Sequence, residues 1–287
     1  MSQDYAALII DIKKSRSYTR EDRNFIQHYI MDVINLLNEL YRQDIVREVD
    51  FSAGDEIQGL FASPEVAYLY YRMFAMWLHP VEIRAGIGVG GWDVQIDHKG
   101  TTSQDGPAYH NARYAIKNAD DGEGYPVLFF SGSRSDITIN TIIGGAASIM
   151  AKQSVYQNQI MLMTELLFPI CYYHFLDCLP SYGVEGFLHE KSRFDHEVDK
   201  IMRPLPFDRI IYSIVEMVDP IDLEDFRETT SFYVTSGKQR GIPTKLASIM
   251  SISRQTIEKT IKAGNIYTAR NMTIAAINEM KNARWES

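Results

Sequence analysis

Residues Arg47–Ser63, REVDFSAGDEIQGLFAS, constrain the fold more than any other stretch of the chain. Alternation of apolar and polar residues runs into a Gly-Asp-Glu tip and resumes beyond it, the pattern of a half-buried hairpin with strands at Ile45–Ala53 and Asp55–Ala62. A hairpin fixes two neighbouring strands, so the flanking segments can be arranged around it. Tyr5–Ile12, YAALIIDI, is a short apolar run ending at Asp11 and reads as a buried strand. Arg20–Tyr41 carries Phe25, Tyr29, Val33, Ile34, Leu37 and Leu40 at helical spacing. Ser63-Pro64-Glu65 is a helix start, with Ser63 capping and Pro64 first, and the helix runs to about Leu78. Val81–Gly91 is a fourth strand, Ala108–Ala119 a further helix and Pro126–Phe130 a strand.

The order β-α-β-β-α-β, followed by another helix and strand, predicts an α+β fold: a ferredoxin-like, split βαβ sheet containing antiparallel strands, with helices on one face. From about Gly132 the pattern changes to helices rich in Ile, Met and aromatics, through about Ser236. Three parts follow: a sheet domain over 1–132, a helical middle over 133–236 and a C-terminal helical domain over 237–287.

Of the 287 residues, 45% are apolar, enough for a sizeable core. The polar start MSQDYAAL reads as no signal peptide. The most membrane-like window, Ile160–Leu179, contains Glu165, Pro169, His174 and Asp177, so it reads as a buried helix of a protein with no membrane partner. Cys171 and Cys178 fall seven apart on one face of that helix, a spacing for core packing rather than a disulfide or zinc site, which suits a reducing cytoplasm. The net charge of −8 is uneven. Gly237–Ser287 holds nine Lys/Arg against three Asp/Glu, a net +6, leaving 20 against 34 elsewhere, a net −14. An acidic body with a basic end is expected where that end meets a polyanion; a basic solvated face gives the same count.

Gly86-Ile-Gly88-Val-Gly90-Gly91 formally matches GxGxxG, but WDVQID follows as an extended segment where a dinucleotide fingerprint needs a helix. We read these glycines as places where another backbone or a ligand approaches the strand closely. His189 and His196, seven apart among acids, suit a solvated face better than zinc. No Ser/His/Asp or Cys/His set carries a nucleophile motif.

The carboxylates point further. In a split βαβ sheet the first strand and the hairpin are central neighbours, so Asp11 and Asp55 are expected side by side. Two carboxylates at an apolar sheet edge repel unless a cation sits between them. Mg²⁺ suits that place, since it is commonly held by one or two carboxylates plus substrate phosphates. Taken singly, Asp55 is equally a turn residue and Asp11 a strand terminator. Alternation puts Glu56 on the opposite face from Asp55.

The motifs IIDIKKSR, SAGDEIQGLF, EIRAGIGVGG and DGPAYHNARYAIKNAD resemble the SatD family. The resemblance covers residues 4 to about 131, with a weaker match beyond. The N-terminal part of that family is similar to the catalytic palm of class III nucleotide cyclases and, more remotely, to GGDEF diguanylate cyclases. The resemblance implies that Asp11 and Asp55 hold Mg²⁺ or Mn²⁺, with the Ile12 main chain as a further ligand. Ser15, Arg16 and Gly54 complete the nucleotide-facing set, with Lys13 and Lys14 nearby. The cyclases carry an Asn and an Arg four apart on the helix corresponding to Pro107–Ala119; here His110 and Tyr114 stand in those positions. Arg113 and Lys117, at i and i+4, present two cations to a triphosphate. His110, Arg113 and Lys117 are thus the candidate catalytic residues. Turnover would be in-line attack of a ribose 3′-hydroxyl on the α-phosphate, with pyrophosphate leaving. A homodimer is implied by the composite dimer site of these cyclases.

At the other end, Pro243–Gly264, PTKLASIMSISRQTIEKTIKAG, fits a helix-turn-helix, with Ala247, Ser251 and Ile257 in its small, turn and β-branched slots. Leu246, Met250 and Ile252 pack the pair, Ser253 caps the second helix, and Asn265–Met280 braces them through Ala275, Ala276 and Met280. Arg254, Gln255, Lys259 and Lys262 are the exposed positions for duplex DNA. The other reading is a helical hairpin that packs on the body or mediates dimerisation. The expected protein is a cytoplasmic regulator that binds a nucleoside triphosphate and DNA. The alternatives are a nucleotide cyclase or nucleotidyltransferase with a scaffolding tail, and a non-catalytic dimeric scaffold.

Overall fold

The structure is a computed structural model that describes residues 4–96, 103–119, 124–182, 184–210, 218–223 and 239–283. It is α+β, built around a mixed five-stranded sheet. Its strands are β1 (Tyr5–Ile12), β2 (Ile45–Ala53), β3 (Glu56–Phe61), β4 (Ile83–Gly90) and β5 (Val127–Phe130), in the order β2-β3-β1-β4-β5. β1 is central and antiparallel to both neighbours, while β4 and β5 run parallel. The hairpin lies where alternation places it, with Ala53 paired to Glu56 across the Gly54-Asp55 tip.

Helices α1 (Arg20–Leu40) and α2 (Pro64–Leu78) cover one face. Ala6, Leu8, Ile10 and Ile12 of β1 point into the core there, with Ile30, Val33, Leu37, Phe74 and Trp77. Thr19 caps α1 through Asp22 N at 3.1 Å, whereas Ser63 sits at the cap of α2 without making a side-chain cap bond. The expectation of helices on one face needs correction: α3 (Pro107–Asn118) covers the opposite face, over Ala7, Ile9 and Leu60. The physical reason lies in the β4 glycines. A Cβ on Gly86 would stand 2.4 Å from Ala112 O and one on Gly88 1.9 Å from Ala112 N. The helix backbone therefore rests directly on the strand, the close approach that the glycine spacing indicates.

Beyond the sheet come α4 (Asp136–Ala151), α5 (Val155–Leu167) and α6 (Val184–Val198), with the short strands β6 (Ile170–Cys171) and β7 (Ile221–Asp222). The single helix expected over Ile160–Leu179 is three elements, because Pro169 ends α5; a strand and a 3-10 segment, Tyr173–Tyr182, follow. Cys171 and Cys178 consequently share no helix face, though both are buried and free. No helix among the described residues is long and apolar enough to cross a membrane.

Helices α7 (Ile242–Met250), α8 (Arg254–Ala263) and α9 (Ile266–Asn282) end the described chain. Their apolar faces join the same core as the sheet, which runs continuously from Ala6 to Met280. α9 docks on α4, and Arg270 reaches from it to Glu165 of α5. The sequence boundary at 236/237 lies outside the described residues.

Candidate functional site

The candidate site forms where β1 runs out. After Ile12 the chain turns through a left-handed Lys14 (φ 56°) and a 3-10 turn over Ser15–Ser17 before α1 begins. The hairpin tip approaches the same place, and Gly54 takes φ 64°, where an L side chain is strained. These segments border a pocket of about 200 Å³ lined by Ile12, Ser15, Arg16, Gly54 and Asp55, with Arg23 and Gln27 contributed by α1. The first five are residues singled out from the sequence; Arg23 and Gln27 are not. Their positions on α1 follow from the loop geometry, which no residue spacing declares. No ion pair engages Arg16, Arg23 or Asp55 among the described residues, so two guanidiniums and one carboxylate face the pocket uncommitted.

Asp11 is not among them. The pleat that seats Ile12 against α1 turns Asp11 toward the α3 face, with Ala7 and Ile9. Its carboxylate accepts from Arg84 Nε at 2.9 Å and lies 2.8 Å from Nη2 of the same side chain. Its register partner on β3 is Glu56, not Asp55. The expected side-by-side pair of Asp11 and Asp55 is therefore replaced by Asp11 with Glu56 on one face and Asp55 on the other. A guanidinium, rather than a shared cation, offsets the charge of Asp11. Arg84 was legible only through register: one residue fewer between the strands and it would point to the other face.

The candidate catalytic residues lie on the α3 face too. Arg113 forks onto Glu56, with Nη2 donating to Oε1 at 2.9 Å, and Ser52 Oγ donates to the same oxygen at 2.8 Å. Burial pushes the Glu56 carboxyl up, but these hydrogen bonds outweigh it and hold the group below the ordinary carboxylate value. His110 Nε2 lies 2.8 Å from Asp105 Oδ1. With Gln58 and Tyr109 these groups border a second pocket of about 300 Å³. Lys117 is exposed and lines neither pocket. The two cations expected to act together therefore share no pocket: Arg113 is held by Glu56, and Lys117 stands outside both.

The residues fit Mg²⁺ in one way only. The first pocket offers Asp55 as its single lining carboxylate among the described residues, beside the Ile12 main chain. That set suits a cation arriving with a phosphate, not a cage of two aspartates.

On α8, Arg254, Gln255, Lys259 and Lys262 are all exposed while Ile257 and Ile261 are buried. Arg254 Nε donates to Glu258 Oε1 at 2.8 Å. Ser253 Oγ accepts from Thr256 N at 3.2 Å, the cap expected from the sequence, and Ser251 takes φ 50° in the turn before it.

Compared with known proteins, residues 5–175, more than half of the chain, match the sequence model of the SatD family. No curated protein matches the chain.

Proposed function

We propose that this chain, which belongs to the SatD family, is a regulator that binds a phosphorylated nucleotide between the β1–α1 loop and the β2–β3 tip. Mg²⁺ is the counter-ion, and α8 reads duplex DNA as the second helix of a helix-turn-helix. One observation carries the nucleotide half: Ile12, Ser15, Arg16, Gly54 and Asp55 come together in one pocket with Arg23, and neither arginine is in an ion pair among the described residues. Guanidiniums bind phosphate oxygens in charge-assisted, bidentate pairs. The strand order and the placement of α1 and α2 agree with a cyclase-like palm.

Binding is favoured over turnover because His110 and Arg113 are engaged by Asp105 and Glu56 on the other face. The enzymatic alternative, a cyclase or nucleotidyltransferase, requires those residues to leave their partners. The DNA half draws support from Ser251, left-handed where a helix-turn-helix bends, and from the exposed cations of α8. A homodimer would present two such helices to paired half-sites. Two buried free thiols suit a reducing cytoplasm.

Calorimetry of the full chain with nucleoside triphosphate and Mg²⁺ tests the first half. Saturable binding that Arg16→Ala and Arg23→Ala each weaken supports it, and binding indifferent to both removes it. For the second half, affinity for duplex DNA should fall steeply with salt. Lys259→Ala and Lys262→Ala should each lower the log–log slope by about 1. Salt-independent or absent binding would leave α8 as a packing element.

A further inference from the structure

The pocket on the α3 face takes no part in the nucleotide reading, yet its floor carries a polar group that packing alone does not explain. β3 presents Glu56, Gln58 and Leu60 to that face, and the cross-strand partner of Gln58 is the apolar Ile9 of β1. Gln58 is only 5% exposed. Among the described residues its side-chain amide has no hydrogen-bond partner, at either the nitrogen or the oxygen. Both atoms nonetheless keep accessible surface, and the residue lines the pocket, so the amide faces it. Tyr109 Oη, by contrast, is sealed off without a partner, and the inference does not use it.

The rest of the polar lining is committed. Arg113 forks onto Glu56, whose Oε1 also accepts from Ser52 Oγ at 2.8 Å. Gln104 spends its amide on Trp92 Nε1 and on the main chain of Ile96. Asp105 Oδ1 accepts from Gly106 N at 2.9 Å and lies 2.8 Å from His110 Nε2. The Asp105 and His110 side chains are 58% and 70% exposed, at the rim where the pocket opens to water and their charge is screened. An anion entering the pocket must pull Arg113 from Glu56, and a cation must compete with Arg113 for the same carboxylate. The interior therefore favours a molecule without net charge.

The open amide defines the edge such a molecule needs. A glutamine amide carries donor and acceptor side by side. A partner meets both at once only if its own N–H and C=O lie on one edge. Open-chain secondary amides are trans and point those groups in opposite directions, whereas ring closure holds them cis. Ile9 and Tyr109 supply apolar contact for a ring, and about 300 Å³ is the lower end of small-molecule sites. Without such a partner, an apolar side chain would suit this buried face better than an unpaired amide. We propose that this pocket is a second ligand site, taking a small uncharged cyclic amide whose N–H and C=O edge pairs with Gln58. It shares no lining residue with the nucleotide pocket, so it stands or falls apart from that reading.

Titration of the full chain with 2-piperidone, and with 1-methyl-2-piperidone as the control lacking the N–H, tests the proposal. The unsubstituted lactam should bind saturably and at least about tenfold more tightly, the ratio given by one net hydrogen bond. Gln58→Leu should abolish that preference while leaving the denaturation midpoint no lower than that of wild type, because it deletes an unpaired amide. A crystal of the lactam-soaked full chain should show the ring in this pocket with its edge on Gln58. Equal affinity for the two lactams, no binding of either, tighter binding of acetate or methylammonium in this pocket, or a soaked crystal with ordered water alone on Gln58 would overturn it. The wild-type titrations and the crystal decide the matter even if the variant does not fold.

Discussion

Glu165 is 2% exposed and lies between Arg72 and Arg270, themselves 1% and 0% exposed. Arg270 Nη1 donates to its Oε1 at 2.6 Å, and Arg72 donates to the same oxygen. Burial pushes the Glu165 carboxyl up, yet the two guanidiniums outweigh it and hold the group low. A buried carboxylate shared by two cations is costly to assemble, and breaking it leaves uncompensated charge in the core. Glu165→Gln should therefore destabilise the fold by about 3–5 kcal/mol, read as a lower denaturation midpoint at unchanged slope. The sequence flags Glu165 only as an objection to a membrane span. Its partners lie 93 and 105 residues away, so no local pattern announces the triad. Asp55 and Arg16 were legible because a turn and a loop next to a strand end declare themselves locally. The facing of Asp11 was not, since it depends on which way the pleat meets α1.

At the scale of elements, the β4–α3 contact is the most sharply set. Gly88→Ala would drive a methyl into the backbone of α3, 1.9 Å from Ala112 N, and neither element can yield without moving the sheet. A loss of about 3 kcal/mol or more is expected by chemical denaturation. Gly54→Ala meets nothing within 4 Å, so its cost is limited to left-handed strain of about 1–2 kcal/mol. The strand β5 at the sheet edge shows another device. Asn140 of α4 accepts from Phe129 N at 2.6 Å and donates to Phe129 O at 2.8 Å, so a side-chain amide occupies the place of a further strand. The sheet strands and α1, α2, α3, α8 and α9 were readable from period and caps. Misreadings arose where a proline divided an apolar run, as at Pro169, and where a helix crossed to the other face, as α3 does.

Across the whole molecule, the sheet and the C-terminal helices share one core, although charge alone sets the last fifty-odd residues apart. A polar thread through that core links His79 to Gln153 and Lys191, the latter paired with Asp195 at 2.5 Å. Burial, reinforced by Lys191, pulls His79 down from 6.5 to about 3, so the folded protein keeps it neutral. Its folded value lies below the unfolded one. The unfolded chain therefore takes up a proton first, and stability present above pH 6.5 is lost on acidification toward pH 3. Across that window the slope from this group is roughly 1.4 kcal/mol per pH unit. The difference in unfolding free energy between wild type and His79→Gln, followed from pH 7 to 4.5, should shrink as the pH falls. A constant difference would mean that His79 titrates normally in the folded state.

The most direct measurement of the central claim compares Asp55→Asn with Asp11→Asn in calorimetric titrations with a nucleoside triphosphate and Mg²⁺. Asp55 borders the pocket with Arg16 and Arg23, while Asp11 is held by Arg84 on the other face. Binding should therefore be lost or weakened at least about tenfold in Asp55→Asn, about the worth of one charge-assisted contact, and nearly preserved in Asp11→Asn. Binding unchanged by Asp55→Asn, or abolished equally by both substitutions in folded protein, would contradict a one-carboxylate phosphate site at the end of β1.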